Sequence, residues 1–285
     1  MNRAGRLCGM DLTGVDGAGS AAGSTATDEV AGGIEEGRRM SALGAMTEAI
    51  PNVLKTAQIL DLVTIGQRAQ PGVPLLVRGE PGAGKDTLAR LIHAASPRQP
   101  YPFIKMNCAV QPFDRRQADL FGHEKGASPL AIRRWLGSFE FANHGTLYLD
   151  EVGAVPRDLV PKLLYVLRTG EVSRTGGREV IRVDVRVIAS TTQRAETGSG
   201  DDLWRELHRL KVVEISIPPL RQRTTEIPFL ASFFLWQFNR RYRRHVQLCP
   251  ELMTAFKARS WPGNIRELEE AVQQLVVGGE MSAVR

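Results

Sequence analysis

The chain has 285 residues, 42% of them hydrophobic, and a net charge of +6, which suits one α/β domain with a smaller second one. No apolar run is long enough to span a membrane, and no apolar core follows Arg3 and Arg6, so no secretory signal is expected and a cytoplasmic setting is. Cys8, Cys108 and Cys249 are odd in number and scattered. Together with five histidines they never gather at ligand spacing, which argues against both a disulfide framework and a structural zinc.

Residues 1–45 are rich in Gly, Ala, Ser and Thr and nearly lack large apolar side chains, the signature of a disordered arm. From about Met46 the texture changes, and Ile50, Val53, Leu54 and Ala57 recur at helical spacing. Strands are expected at 74–78, 103–107, 145–149 and 183–190, with helices between them. That alternation predicts a parallel sheet covered on both faces. After Pro218-Pro219-Leu220-Arg221 the strands stop and helical patterns follow. The expected organisation is therefore an α/β core over 46–219, a small helical subdomain over 220–279 and a tail over 280–285, with no internal repeat. Arg240-Arg241-Tyr242-Arg243-Arg244-His245 is the one dense basic cluster. It reads first as the solvated end of a helix, with nucleic-acid or acidic-partner contact as the alternative.

Gly79-Glu80-Pro81-Gly82-Ala83-Gly84-Lys85-Asp86-Thr87 joins the first strand to a helix marked by Leu88, Leu91, Ile92 and Ala95. Glycines let backbone N–H groups curl around an anion, the helix terminus adds positive potential, and Lys85 supplies a point charge for outer phosphates. This segment is expected to bind a nucleotide. The Ser/Thr that normally follows the lysine and touches Mg²⁺ is Asp86 here, and Thr87 comes one residue late, about 100° further round the helix. Further on, the apolar strand before Asp150-Glu151 would place two carboxylates at the same sheet edge. Asp150 would hold Mg²⁺, and Glu151 would polarise the attacking water as general base.

These pieces resemble the AAA+ domain of bacterial enhancer-binding proteins, the ATPases that activate sigma-54 RNA polymerase. The likeness runs from about Ile50 to Gly279 through GEPGAGKDTLARLIH (79–93), PFIKMNCAV (102–110), LFGHEKGA (120–127), GSFEFANHGTLYLDEV (137–152), GEVSRTGG (170–177), VDVRVIAST (183–191), VVEISIPPLRQR (212–223) and WPGNIRELEE (261–270). It implies a P-loop core with a helical lid, assembled into a ring expected to be hexameric, with ATP between neighbouring subunits. On that pattern the 79–87 backbone and Lys85 would bind phosphates. Asn107 would be the switch residue holding Glu151 back, Thr191 the first sensor of the γ-phosphate, and Arg266 the second sensor. Arg209 would be the trans-acting arginine with Arg205 as its shifted partner, although the family spaces this pair more widely than the four positions here.

Two departures temper the expected activity. The family's sigma-contacting loop, Gly-Ala-Phe-Thr-Gly-Ala, is replaced by Gly126-Ala127-Ser128-Pro129-Leu130-Ala131. The aromatic contact is lost, which is worth about 1.5–3 kcal/mol when buried, and Pro129 and Leu130 stiffen the turn. The sequence also runs only a short way past the lid pattern, so no helix-turn-helix for enhancer DNA is expected. Three readings follow from the resemblance. The first is an ATP-hydrolysing sigma-54-type regulator. The second is a regulatory subunit that binds ATP and co-assembles with an intact activator. The third is an ATPase with a different protein client.

Overall fold

The computed structural model describes residues 57–70, 72–109, 113–129, 131–192, 207 and 209–278. The predicted arm, positions 50–56 of the first helical pattern, Leu130, Arg205 and the tail lie outside the described residues. The described residues begin with α1 (Ala57–Arg68), β1 (Leu75–Arg78), α2 (Lys85–Ala94), β2 (Phe103–Asn107) and α3 (Phe113–Phe121). After these come the short α4 (Ser138–Phe141), β3 (Thr146–Asp150), α5 (Val160–Thr169), the ribbon strands β4 (Glu171–Val172) and β5 (Ile181–Arg182), β6 (Arg186–Thr191) and β7 (Val213–Ser216). Three helices close the chain: α6 (Ile227–Tyr242), α7 (Pro250–Ala258) and α8 (Asn264–Gly278).

Five strands form a parallel sheet in the order β2-β3-β6-β1-β7. Successive side chains on a strand point to opposite faces, so continuous apolar runs bury both. On β1, Leu75 and Val77 join one core with Leu88, Ile92, Ile188 and Ile215, whereas Leu76 faces a second core with Leu147, Leu149, Val187 and Phe121. The expected strand at 183–190 begins late, at Arg186. Its first residues connect the β5 ribbon strand to the sheet, and Asp184 is held there by Arg98 at 2.5 Å and by its N–H on Asn143.

The helical subdomain follows from the spacing of its apolar residues. On α6, Ile227, Leu230, Ala231, Phe234 and Phe238 are buried at three- and four-residue intervals. Trp261 is fully buried between the helices, with its indole N–H on the Phe256 carbonyl at 2.7 Å and the two rings edge to face. The basic cluster falls at the C-terminal end of α6, where Arg240, Arg241, Arg243, Arg244 and His245 are exposed. Arg240 and Arg241 lie over the rings of Trp236 and Tyr242. Among the described residues, no helix is long and apolar enough to cross a membrane, and no group of three or more His, Cys, Asp or Glu could hold a metal ion.

Candidate functional site

The site forms where β1, β3 and β6 end on one side of the sheet, the edge at which open α/β folds bind ligands. β1 is a central strand, hydrogen-bonded to β6 and β7, so the loop that leaves it is rooted in a rigid frame. Gly82 and Gly84 take left-handed angles (φ 73° and 99°), which glycine adopts without steric cost. Gly84 also caps the N-terminus of α2. Lys85 is buried, and its Nζ donates to the carbonyls of Gly79 at 3.1 Å and Glu80 at 3.4 Å, while standing 3.3 Å from Glu151 Oε1. The loop thus presents a helix terminus and one ammonium at the same point, the chemistry of an anion site.

The acid pair ends β3. Glu151 sits in left-handed backbone (φ 55°), and its N–H donates to Ser190 Oγ at 3.2 Å. Its Oε2 accepts from both the N–H and the hydroxyl of Thr192, each at 3.0 Å. Asp150 Oδ1 accepts from Ser190 at 2.7 Å and Tyr148 at 3.1 Å, and its Oδ2 lies 3.4 Å from Lys105 Nζ. Burial pushes the Asp150 pKa up, but the Ser190 hydrogen bond, the Lys105 charge and the Tyr148 hydroxyl outweigh it and hold the carboxyl below its ordinary value. Burial, above all, raises the Cys108 thiol beside it to about 12.

The helical subdomain is fastened to the loop. Asn264 is fully buried in left-handed backbone (φ 56°); its amide donates to Glu80 at 3.1 Å and to the Pro81 carbonyl at 3.0 Å, while its oxygen accepts from the Leu220 N–H at 2.8 Å. The Ile265 N–H reaches the Gly82 carbonyl at 3.0 Å. Arg221 grips Glu80 through two bonds of 2.8 and 2.6 Å, and buried Arg223 bonds the Ala83 carbonyl at 2.6 Å and Glu226 at 2.8 Å. A Cβ on Gly82 would stand 2.2 Å from the Gly263 carbonyl and 3.1 Å from Arg266 Cβ. Arg266 therefore leaves α8 directly over the loop. A cleft between loop, α1 and lid is lined by Ile59, Thr87, Leu91, Arg223 and Ile265. Thr87 lines this apolar cleft, in keeping with its late position in the helix.

Other expected residues are placed less directly. Asn107 pairs in register with Asp150, but its side-chain oxygen accepts from the Ala109 N–H at 2.8 Å, capping the turn after β2. Thr191 is buried at the end of β6, and its carbonyl accepts from the Gly79 N–H at 3.3 Å; the residue touching Glu151 is Thr192. Arg209 is exposed just ahead of the edge strand β7. In the predicted partner loop, Gly126 N–H bonds the Ala131 carbonyl at 2.8 Å, and Ala131 N–H bonds the Ser128 carbonyl at 2.9 Å. Those bonds draw Ala131 back toward Gly126 and Ser128. Ser128 and Pro129 are exposed and Ala131 is buried. Beneath the loop, Arg174 bonds Glu140 through two nitrogens at 2.8 and 2.5 Å and Glu124 at 2.7 Å.

Sequence reasoning missed Lys105, Tyr148, Ser190, Arg221, Arg223 and Asn264. Period-two alternation offered a signal for one of them, since Tyr148 shares a face with Asp150 at the end of β3. The lid residues carried none, because their partners on the phosphate loop lie more than a hundred positions away.

A parallel sheet of this strand order, with a helical bundle docked on the loop that leaves its central strand, is the fold of the AAA+ ATPases. Hsp104, a solved structure 16% identical with a TM-score of 0.58, shares that fold. A model of the Sigma-54 interaction domain matches residues 53–216, and one of the AAA+ ATPase lid domain matches residues 221–284. The chain belongs to the Sigma-54 interaction domain family. It is 41% identical to the Nif-specific regulatory protein of Rhizobium leguminosarum bv. trifolii over 79% of this chain and 62% of that protein. To the DNA-binding transcriptional regulator NtrC of Salmonella typhimurium it is 43% identical over 75% of this chain and 46% of that one. NtrX from Brucella abortus, solved in complex with ATP, is 31% identical with a TM-score of 0.69, covering 91% of this chain and 62% of the solved one. The chain spans between about a third and three fifths of the length of the curated relatives it matches.

Proposed function

We propose that the chain binds and hydrolyses ATP as a transcription regulator of the sigma-54-dependent type, working as a ring with nucleotide at the subunit boundaries. The observation that carries this reading is the convergence of Lys85, Asp150 and Glu151 at one sheet edge, beneath a lid whose Arg266 stands over the loop. Lys85 and the 79–87 backbone would receive the phosphates. Glu151, steadied by Thr192, would accept a proton from the attacking water. Asn107 is the switch residue in this scheme and would have to leave its turn cap to reach Glu151. Arg266 and Thr191 would read the phosphates, and Arg209, exposed on the flank, would act on a neighbour's site.

The residues present fit a divalent cation. Asp150 keeps one oxygen clear of hydroxyl donors, and Asp86 Oδ1 is buried without a hydrogen bond, a hard oxygen pair suited to Mg²⁺. When bound, the ion would neutralise charge on the phosphates. ATP turnover measured against protein concentration tests the reading. Cooperative, Mg²⁺-dependent hydrolysis that disappears in Glu151→Gln and Arg209→Ala supports it, and no turnover at any concentration refutes it.

A second reading is favoured by the loop residues Ser128 and Pro129, with the Ala131 N–H bonded to the Ser128 carbonyl. In that reading the chain contributes subunits to an intact activator and presents a blunted contact loop. Replacing Ser128 with Phe and Pro129 with Thr separates the two. A gain of sigma-54-dependent transcription assigns the defect to the loop alone, whereas no gain, together with co-purification with an activator, supports the regulatory subunit.

A further inference from the structure

Nothing in the phosphate-loop pattern calls for a cation in the middle of β2, yet Lys105 stands there and reaches both acids on the metal side of the site. Its Nζ lies 3.2 Å from Asp86 Oδ1, 3.4 Å from Asp150 Oδ2 and 5.6 Å from the centre of the Tyr148 ring. The remaining oxygens are taken by other groups: Asp150 Oδ1 by Ser190 and Tyr148, and Asp86 Oδ2 by Arg90 at 3.2 Å. Asp86 Oδ1 is buried and accepts no hydrogen bond, so its relation to the ammonium is Coulombic. Lys105 therefore faces the two oxygens that hydroxyl and guanidinium donors leave over. Those are the oxygens a metal ion would use.

We propose that Lys105 is a resident counter-cation that balances Asp86 and Asp150 while the site holds no nucleotide and must leave Asp150 before a divalent ion can bind there. Its ammonium ends a flexible four-carbon stem with rotatable donors, and 36% of the side chain is exposed, so it can swing toward arriving phosphates. Metal alone then meets an occupied site, whereas nucleotide supplies the anion that draws the lysine away. Metal and nucleotide affinities become linked through one side chain. Lys105 is a positioning residue in this scheme, and the proposal rests on the ATP reading above only for what displaces it.

Binding of Mn²⁺ in the absence of nucleotide, read from the spectrum of the free ion, tests the idea on the purified chain. Lys105→Met keeps the stem and removes the charge, Lys105→Gln is a second neutral variant, and Lys105→Arg keeps the charge. Both neutral variants should bind Mn²⁺ roughly tenfold more tightly than the parent, and Lys105→Arg should match the parent. Thermal melting gives an independent readout: Mg²⁺ alone should raise the midpoint of the neutral variants and leave the parent unmoved. Equal metal affinity in parent and neutral variants, or equal stabilisation by Mg²⁺, overturns the proposal. ATP titrated into the parent by calorimetry keeps the two ideas apart. No heat there sinks the nucleotide reading, while the metal comparison still decides the role of Lys105.

Discussion

Lys85 Nζ and Glu151 Oε1 are 3.3 Å apart, so the cation expected to meet phosphate and the carboxylate expected to activate water are paired with each other. A phosphate bound by Lys85 would compete for that pair, leaving Glu151 held by Thr192 alone. Removing the charge of Glu151 should therefore uncouple binding from chemistry. Glu151→Gln is expected to lower turnover by roughly a hundredfold to ten-thousandfold and to leave ATP affinity equal or tighter, because Lys85 loses its competitor. Calorimetry beside a phosphate-release assay checks this, and weakened binding in the variant would count against it.

Gly82 lies against the lid more tightly than any side chain permits, with a built Cβ 2.2 Å from the Gly263 carbonyl and φ of 73°. Gly82→Ala should force loop and lid apart and lose about 1–3 kcal/mol from backbone strain alone. A lowered urea midpoint together with lost nucleotide affinity is expected; a parent-like midpoint would show that the lid adjusts freely.

The Arg223–Glu226 pair is buried, at 1% and 0% side-chain exposure. Arg223→Met removes the guanidinium that Glu226 and the Ala83 carbonyl both bond, for an expected loss of about 3–5 kcal/mol. Replacing Glu226 with Met as well should recover much of that loss. Denaturant curves on both variants decide the matter, and a double variant less stable than the single one would refute the account.

His93 is buried, with Nδ1 2.9 Å from Thr146 Oγ1. Burial, then the charges of Arg186 and Arg90, hold its pKa below the ordinary 6.5. The unfolded chain takes up a proton that the folded chain resists, so stability from neutral His93 is complete above pH 6.5 and declines as the pH falls below it. Between about pH 7.5 and about pH 5.5 the parent should lose more stability than His93→Gln. Identical losses would assign the acid sensitivity elsewhere.

Much of the frame was legible from the residues. Apolar runs such as Leu75-Leu76-Val77 can only be buried on two faces, and the glycines before Lys85 need angles that other residues avoid. The strand 103–107 falls at its expected bounds, whereas the one at 183–190 starts late because Asp184 is captured by Arg98, a contact between residues 86 positions apart. Contacts of that kind also hid Lys105 and Asn264. Local patterns report what a residue does to its own backbone and are silent on which distant charge it will meet. Asn107 shows the limit from the other side, since its turn-capping bond is local and legible while its proposed contact with Glu151 needs a movement.

Arg174 ties Glu140, at the start of α4, to Glu124, ahead of the turn, from a position on the β4–β5 ribbon. The Thr175 N–H and carbonyl add backbone bonds to Gly122 and Glu124. Whatever chemistry happens at the sheet edge, the stretch leading into the 126–131 loop is moored to the ribbon at Gly122 and Glu124, so a different tip grafted beyond Gly126 would keep the same mooring.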